Sequence, residues 1–109
     1  MIGIEDFDKV DIRTGTVIDV SINKRARNKA YKVTIDFGEE IGVKTSSAQI
    51  TDLYKEQDLI GKQVIAVVNF LPIRIGDVKS EVRILGTENQ DGVVLLSSDQ
   101  KVPNGLRIF

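Results

Sequence analysis

The chain has 109 residues with 15 basic and 16 acidic side chains, a net charge of −1. Cysteine and histidine are both absent, which removes disulfides, thiolate and imidazole metal ligands, and Ser-His-Asp or Cys-His nucleophile systems. A domain this close to neutral is also unlike a dedicated DNA binder, so any nucleic-acid contact has to come from a local patch.

The N-terminal MIGIEDFDKVD gathers Glu5, Asp6, Asp8 and Asp11, acids that suit the positive end of a first helical turn better than a metal cage. It lacks the basic-then-apolar pattern of a signal peptide, and no apolar run approaches the ~20 residues of a bilayer span. The expectation is a cytoplasmic protein with no membrane insertion.

IRTGTVIDVSI (12–22) is rich in β-branched residues and predicts a long strand, with a bend or bulge at Gly15. SINKRARNKAYK (21–32) then carries Lys24, Arg25, Arg27, Lys29 and Lys32 with no acid between Asp19 and Asp36. KVTIDF (32–37) alternates, with Val33, Ile35 and Phe37 on one side. Gly38-Glu39-Glu40 turns it into IGVKTSS (41–47), a hairpin. Ile50, Leu53 and Tyr54 fall at helical spacing, with Gln49 or Thr51 near the N-cap and Gly61 beyond the end.

Val64 to Val68 is apolar without a break, the pattern of a strand buried on both faces. SEVRILG (80–86) and GVVLLS (92–97) predict further strands joined by an NQDG turn, and Pro103-Asn104-Gly105 marks a last turn. No linker, repeat or low-complexity segment interrupts residues 1–109, so a single domain is expected.

This order predicts an all-β fold, a five-stranded OB-fold Greek-key barrel with a short helix between strands three and four and extensions at both termini. Loops 1–2 and 4–5 of such a barrel flank its binding face. Here they are SINKRARNKA and LPIRIGDVK, which would bring Arg74 and Lys79 beside the basic run.

Particular residues then fall into a familiar pattern. DIRTG at 11–15, Ala26-Arg27, Ala30-Tyr31-Lys32 and DFG at 36–38 resemble the opening of the tRNA-binding domain family. EIGVKTSSAQIT (40–51), LIGKQVIAVVNF (59–70), Pro72, Arg74, KSEV (79–82) and VVLLSSDQKVPNG (93–105) are similar to its protein-export chaperone branch, the CsaA-type proteins. The resemblance covers about Asp6 to the C-terminus. It implies a homodimer without catalytic activity or cofactor that binds unfolded or precursor polypeptides, with the secretion ATPase SecA and tRNA as further partners. Two segments, Ser46 to Ile50 and Ser80-Glu81-Val82, follow the export branch rather than the tRNA-binding relatives, and Lys24-Arg25 makes the first loop more basic than the pattern.

The expected tRNA contacts are Lys24, Arg25, Arg27, Lys29, Lys32, Lys44, Arg74 and Lys79. The basic run admits two readings, a solvated loop or a patch that meets phosphate or an acidic surface. The expected peptide contacts are Phe70, Pro72, Arg74, Lys79, Ser80, Glu81, Ser46 and Gln49. Phe70 either packs on the barrel end or lines a groove, and Ser46, Ser47 and Gln49 either cap the helix or border the binding face. A Lys44–Ser46 dyad would share one strand face, but nothing near it suggests an oxyanion hole. Only two tyrosines and no tryptophan are present, too few for single-strand stacking platforms. Ile2, Ile4, Phe7 and the terminal LRIF have little of their own domain to cover them and are candidates for a two-fold interface.

Overall fold

The computed structural model describes residues 1–109. After a single-turn helix α1 (Ile4–Asp8), β1 (Ile12–Ile22) is the longest strand. Its first half pairs antiparallel with β4 (Gln63–Val67) and its second half with β2 (Tyr31–Asp36). β1 lies between these two partners, one on each edge, and its register with β2 shifts between Val17 and Asp19, leaving Ile18 as an extra, exposed residue. The bend expected at Gly15 therefore lies at Ile18. Gly15 instead makes room for the core, since a Cβ there would sit 2.7 Å from Ile35 Cγ2 and Phe37 Cδ1.

The hairpin of β2 with β3 (Val43–Ala48) forms as expected, its turn held by Gly38 and Gly42 at φ +87° and +83°. Sheet order is β3-β2-β1-β4-β7, where β7 is Arg83–Ile84. Val17, Val33, Ile35, Phe37, Leu59, Val64, Ala66 and Val82 fill the inside. The ring closes at a seam between β3 and residues 79–82. There Glu81 N–H donates to the Thr45 carbonyl (2.8 Å), Thr45 N–H to Glu81 Oε1 (3.1 Å), and Ser47 N–H to Ser80 Oγ (3.0 Å). The five-stranded OB-like barrel is thus present, with one seam closed largely by side chains.

Two local expectations change. The spacing of Ile50, Leu53 and Tyr54 gives a turn at 51–53, and the helix α2 is Glu56–Leu59. Tertiary anchoring overrides the helical period: Ile50 is in the core, the Tyr54 carbonyl accepts Tyr31 Oη–H (2.8 Å), and its hydroxyl accepts Leu95 N–H (3.0 Å). The helix start is closed by Lys55 N–H donating to the Asp58 carboxylate (3.0 Å), not by Thr51 or Gln49. Likewise 80–86 is not one strand. The chain makes a hairpin of β5 (Ile73–Ile75) and β6 (Val78–Ser80), leaves it to close the seam, and continues as β7, β8 (Gly86–Asn89) and β9 (Gly92–Leu95).

The C-terminal segment returns beside the first half of β1. Gly105 N–H donates to the Thr14 carbonyl (2.7 Å) and Ile108 N–H to that of Ile12 (2.8 Å). Arg13 clamps this junction, donating to Asp11 Oδ1 (2.7 Å) and the Gly105 carbonyl (2.9 Å) and meeting Glu40 Oε1 at 3.2 Å. The Asp11 hydrogen bond, opposed by burial and helped by both carboxylate charges, raises the guanidinium above its ordinary pKa. No helix is long and apolar enough to cross a membrane.

Candidate binding face

The loop between β1 and β2 and the turn of the β5–β6 hairpin lie against one another, although 52 residues separate the contacts in sequence. Asn23, 4% exposed at the end of β1, joins them. Its Nδ2 donates to the Ile75 carbonyl (2.7 Å) and Ser47 Oγ (3.1 Å), and its Oδ1 accepts Asp77 N–H (3.2 Å). Its main chain also closes its own loop, with Asn23 N–H on the Ala30 carbonyl (3.0 Å) and Ala26 N–H on the Asn23 carbonyl (3.2 Å). Gly76, at φ +58°, lets the backbones meet: a Cβ there would be 2.5 Å from Ala26 N and 2.6 Å from the Arg25 carbonyl carbon.

Lys24, Arg25, Arg27 and Lys29 are exposed on the first loop, and Lys32 is exposed at the start of β2. Arg74 and Lys79 are exposed on the hairpin, directly opposite one another in its register. Of these seven cations only Arg25 has a carboxylate within ion-pair distance, Asp77 Oδ1 at 3.6 Å. Like charges facing each other across two strands oppose pairing. Here they are held in place by a neighbouring loop that is itself basic, which makes this end of the barrel an anion-attracting surface.

Lys44 does not join it. It lies toward the other end of β3, half-buried, 3.9 Å from Glu81 Oε2. Ser46 faces the barrel interior at 2% exposure, so neither a peptide contact nor a Lys44–Ser46 dyad open to substrate fits its position. Ser80 and Glu81 hold the seam rather than a free rim, and Gln49 is exposed just past β3.

An apolar strip leads into the cationic hairpin. Phe70 is 53% exposed and Leu71 89%, with Pro72 and Ile73 exposed after them. Phe70 therefore does not pack into the barrel end. Asn69 fixes the strip's start, accepting Asp11 N–H at Oδ1 (2.9 Å) and donating from Nδ2 to the Lys9 carbonyl (2.8 Å). The N-terminal helix is held nearby, and Arg107 ties the C-terminus to it by donating to the Asp8 carbonyl (3.2 Å). Asn23, Thr45 and Asn69 carry no signal in the sequence that marks them as tertiary anchors. An Asn ending a strand signals local bonding, but its distant partners leave no periodic trace.

The family model described as "Putative tRNA binding domain" matches residues 12–107. The chain belongs to the tRNA-binding domain family. The methionine–tRNA ligase of Pyrococcus horikoshii is 36% identical over 95% of this chain and 14% of that protein. The Listeria innocua ligase is 35% identical over 98% and 16%. The chain thus spans a small part of these relatives' length. Among solved structures, the CsaA chaperone protein of Picrophilus torridus is 50% identical with a TM-score of 0.94, all of both chains aligned. The chaperone CsaA of Bacillus anthracis is 48% identical at 0.92, covering 100% of this chain and 99% of that one.

Proposed function

We propose that this tRNA-binding-domain protein is a non-catalytic module of the chaperone type that captures unfolded or precursor polypeptide. The observation that carries this reading is the exposed strip Phe70-Leu71-Pro72-Ile73 running directly into β5, whose only sheet partner is β6. A non-native chain laid there would bury apolar side chains and find main-chain groups on the free edge, with Arg74 and Lys79 as a polar rim. Recognition by area and backbone gives low sequence selectivity. Full-length similarity to two CsaA chaperones supports the same reading. In an export setting the client is a precursor held in the cytoplasm and the SecA ATPase is the partner that receives it.

On this reading the protein works as a homodimer. Ile2, Ile4 and Phe7 of the N-terminal segment and Phe109 expose apolar surface around the Arg107–Asp8 tie, and a second copy would cover them.

A second reading, tRNA binding, rests on a separate observation: Arg74 and Lys79 face each other beside Lys24, Arg27 and Lys29 with no carboxylate neutralising them. Phosphate oxygens would relieve that repulsion. The family match and the ligase relatives support it.

Suppression of aggregation of an unfolded precursor tests the first reading. Phe70→Ala should weaken capture several-fold with the fold intact, because the ring is outside the core. Unchanged capture would remove the strip from the binding surface.

A further inference from the structure

We infer that Asn23 is the positioning residue of the cationic face: it sets the spacing between the two basic loops, and through them the grip on a folded RNA backbone. This rests on the tRNA reading and adds the device that makes it work.

Thr45 Oγ–H on the Lys79 carbonyl (2.6 Å) and Ser47 N–H on Ser80 Oγ (3.0 Å) hold the β6 side of the hairpin on β3, but few direct bonds join the hairpin turn to the first loop. Across the junction run the bonds from the Asn23 amide to Ile75 and Asp77, and the ion pair of Arg25 with Asp77, whose side chains are 80% and 55% exposed. Exposed pairs of that kind contribute little. The Asn23 amide, by contrast, is buried, and each of its polar atoms has a partner on another element. Removing that amide takes the donor from the Ile75 carbonyl and Ser47 Oγ and the acceptor from Asp77 N–H, so the loops separate to let water in.

The chemistry asks for such a device. Arg25, Arg27, Arg74 and Lys79 repel one another, and without a fastening the hairpin turn would swing away from the first loop about its anchor on β3. A folded RNA presents phosphates at fixed spacing, so it rewards cations already held at matching distances. A flexible single strand adapts its own backbone to whatever spacing it meets. Loss of Asn23 should therefore weaken binding of folded RNA and leave binding of a flexible polyanion unchanged. A role confined to stability would not separate those two ligands.

The experiment is a titration of tRNA and of an unstructured oligouridylate at about 50 and 200 mM salt, the range over which phosphate contacts declare themselves. It uses the wild-type protein, Asn23→Ala, and Arg74→Ala/Lys79→Ala with and without Asn23→Ala. Asn23→Ala should bind tRNA roughly tenfold more weakly with a salt slope flatter by about two, as though the hairpin's two phosphate contacts were gone. Oligouridylate affinity should hold. Added to Arg74→Ala/Lys79→Ala, Asn23→Ala should cost little more, since the charges it positions are already absent. Gly76→Ala forces the loops apart from the other side, its methyl falling on Ala26 N. It keeps the Asn23 side chain but crowds its Oδ1 (2.6 Å) as well, pushing the hairpin turn off the same tie, so it should reproduce the effect and carries the test if Asn23→Ala does not fold. Folded variants that bind tRNA with wild-type affinity and slope, or lose tRNA and oligouridylate alike, would overturn the inference alone. No salt-dependent tRNA binding by the wild type would overturn the tRNA reading and the inference with it.

Discussion

A methyl group at position 15 would lie 2.7 Å from the side chains of Ile35 and Phe37, both fully buried. Gly15→Ala should therefore destabilise the barrel by about 1–3 kcal/mol, the usual range for overpacking, read as a lower urea midpoint with an unchanged slope. Arg13 offers a second test. Its folded-state pKa is raised, so its stabilisation is fully present below the ordinary arginine value and fades only as pH rises through the raised one. Stability between about pH 5 and 9 should show no inflection from this group, and Arg13→Met should lower stability across that whole range. A loss confined to one end of it would reassign the clamp. At this scale the sequence was a partial guide. Alternation in KVTIDF placed Val33, Ile35 and Phe37 inside, because a two-residue period is a local signal. The contacts of Asn23 with Ile75, Thr45 with Glu81 and Arg13 with Gly105 were not legible, because these partners lie far along the chain.

Among elements, the strands that pair with a sequence neighbour were the readable ones: the β2–β3 hairpin and the buried run of β4 follow from turn residues and apolar pattern. Elements set by tertiary contact were not. Ser80 and Glu81 break a run that reads as one strand because they reach across to β3 and close the barrel. The seam has a measurable consequence. Glu81→Ala removes the acceptor for Thr45 N–H (3.1 Å), while the Thr45 hydroxyl keeps the Lys79 carbonyl (2.6 Å), and should cost about 1–3 kcal/mol, with faster amide exchange at Thr45 than at Val33 in the barrel wall. Equal exchange at the two positions would mean that the main-chain bond from Glu81 alone holds the seam.

At the scale of the whole molecule, two chemically different surfaces meet: an apolar path from the N-terminal helix through Phe70 and Leu71, and a cationic end built from two loops. The loop assignment followed from strand order alone, since in an OB barrel that order decides which connections share an end. What strand order could not give is which apolar residues stay outside; Phe70 looks the same in sequence whether it packs inward or lines a groove. The terminal surface predicts a dimer in light scattering at micromolar concentration, and Ile4→Glu with Phe7→Glu should yield a monomer. A wild-type monomer would leave that surface to another partner.

The barrel has two ends, and β2 connects them, with the basic loop before Tyr31 and the 38–42 turn after Asp36. Amide hydrogen exchange with and without an unfolded precursor measures directly which end binds. Slowed exchange at 69–80, extending into the adjoining 23–30 loop, is the expected result. Slowing confined to 38–42 and the 97–105 segment packed beside it would contradict the assignment of the binding face.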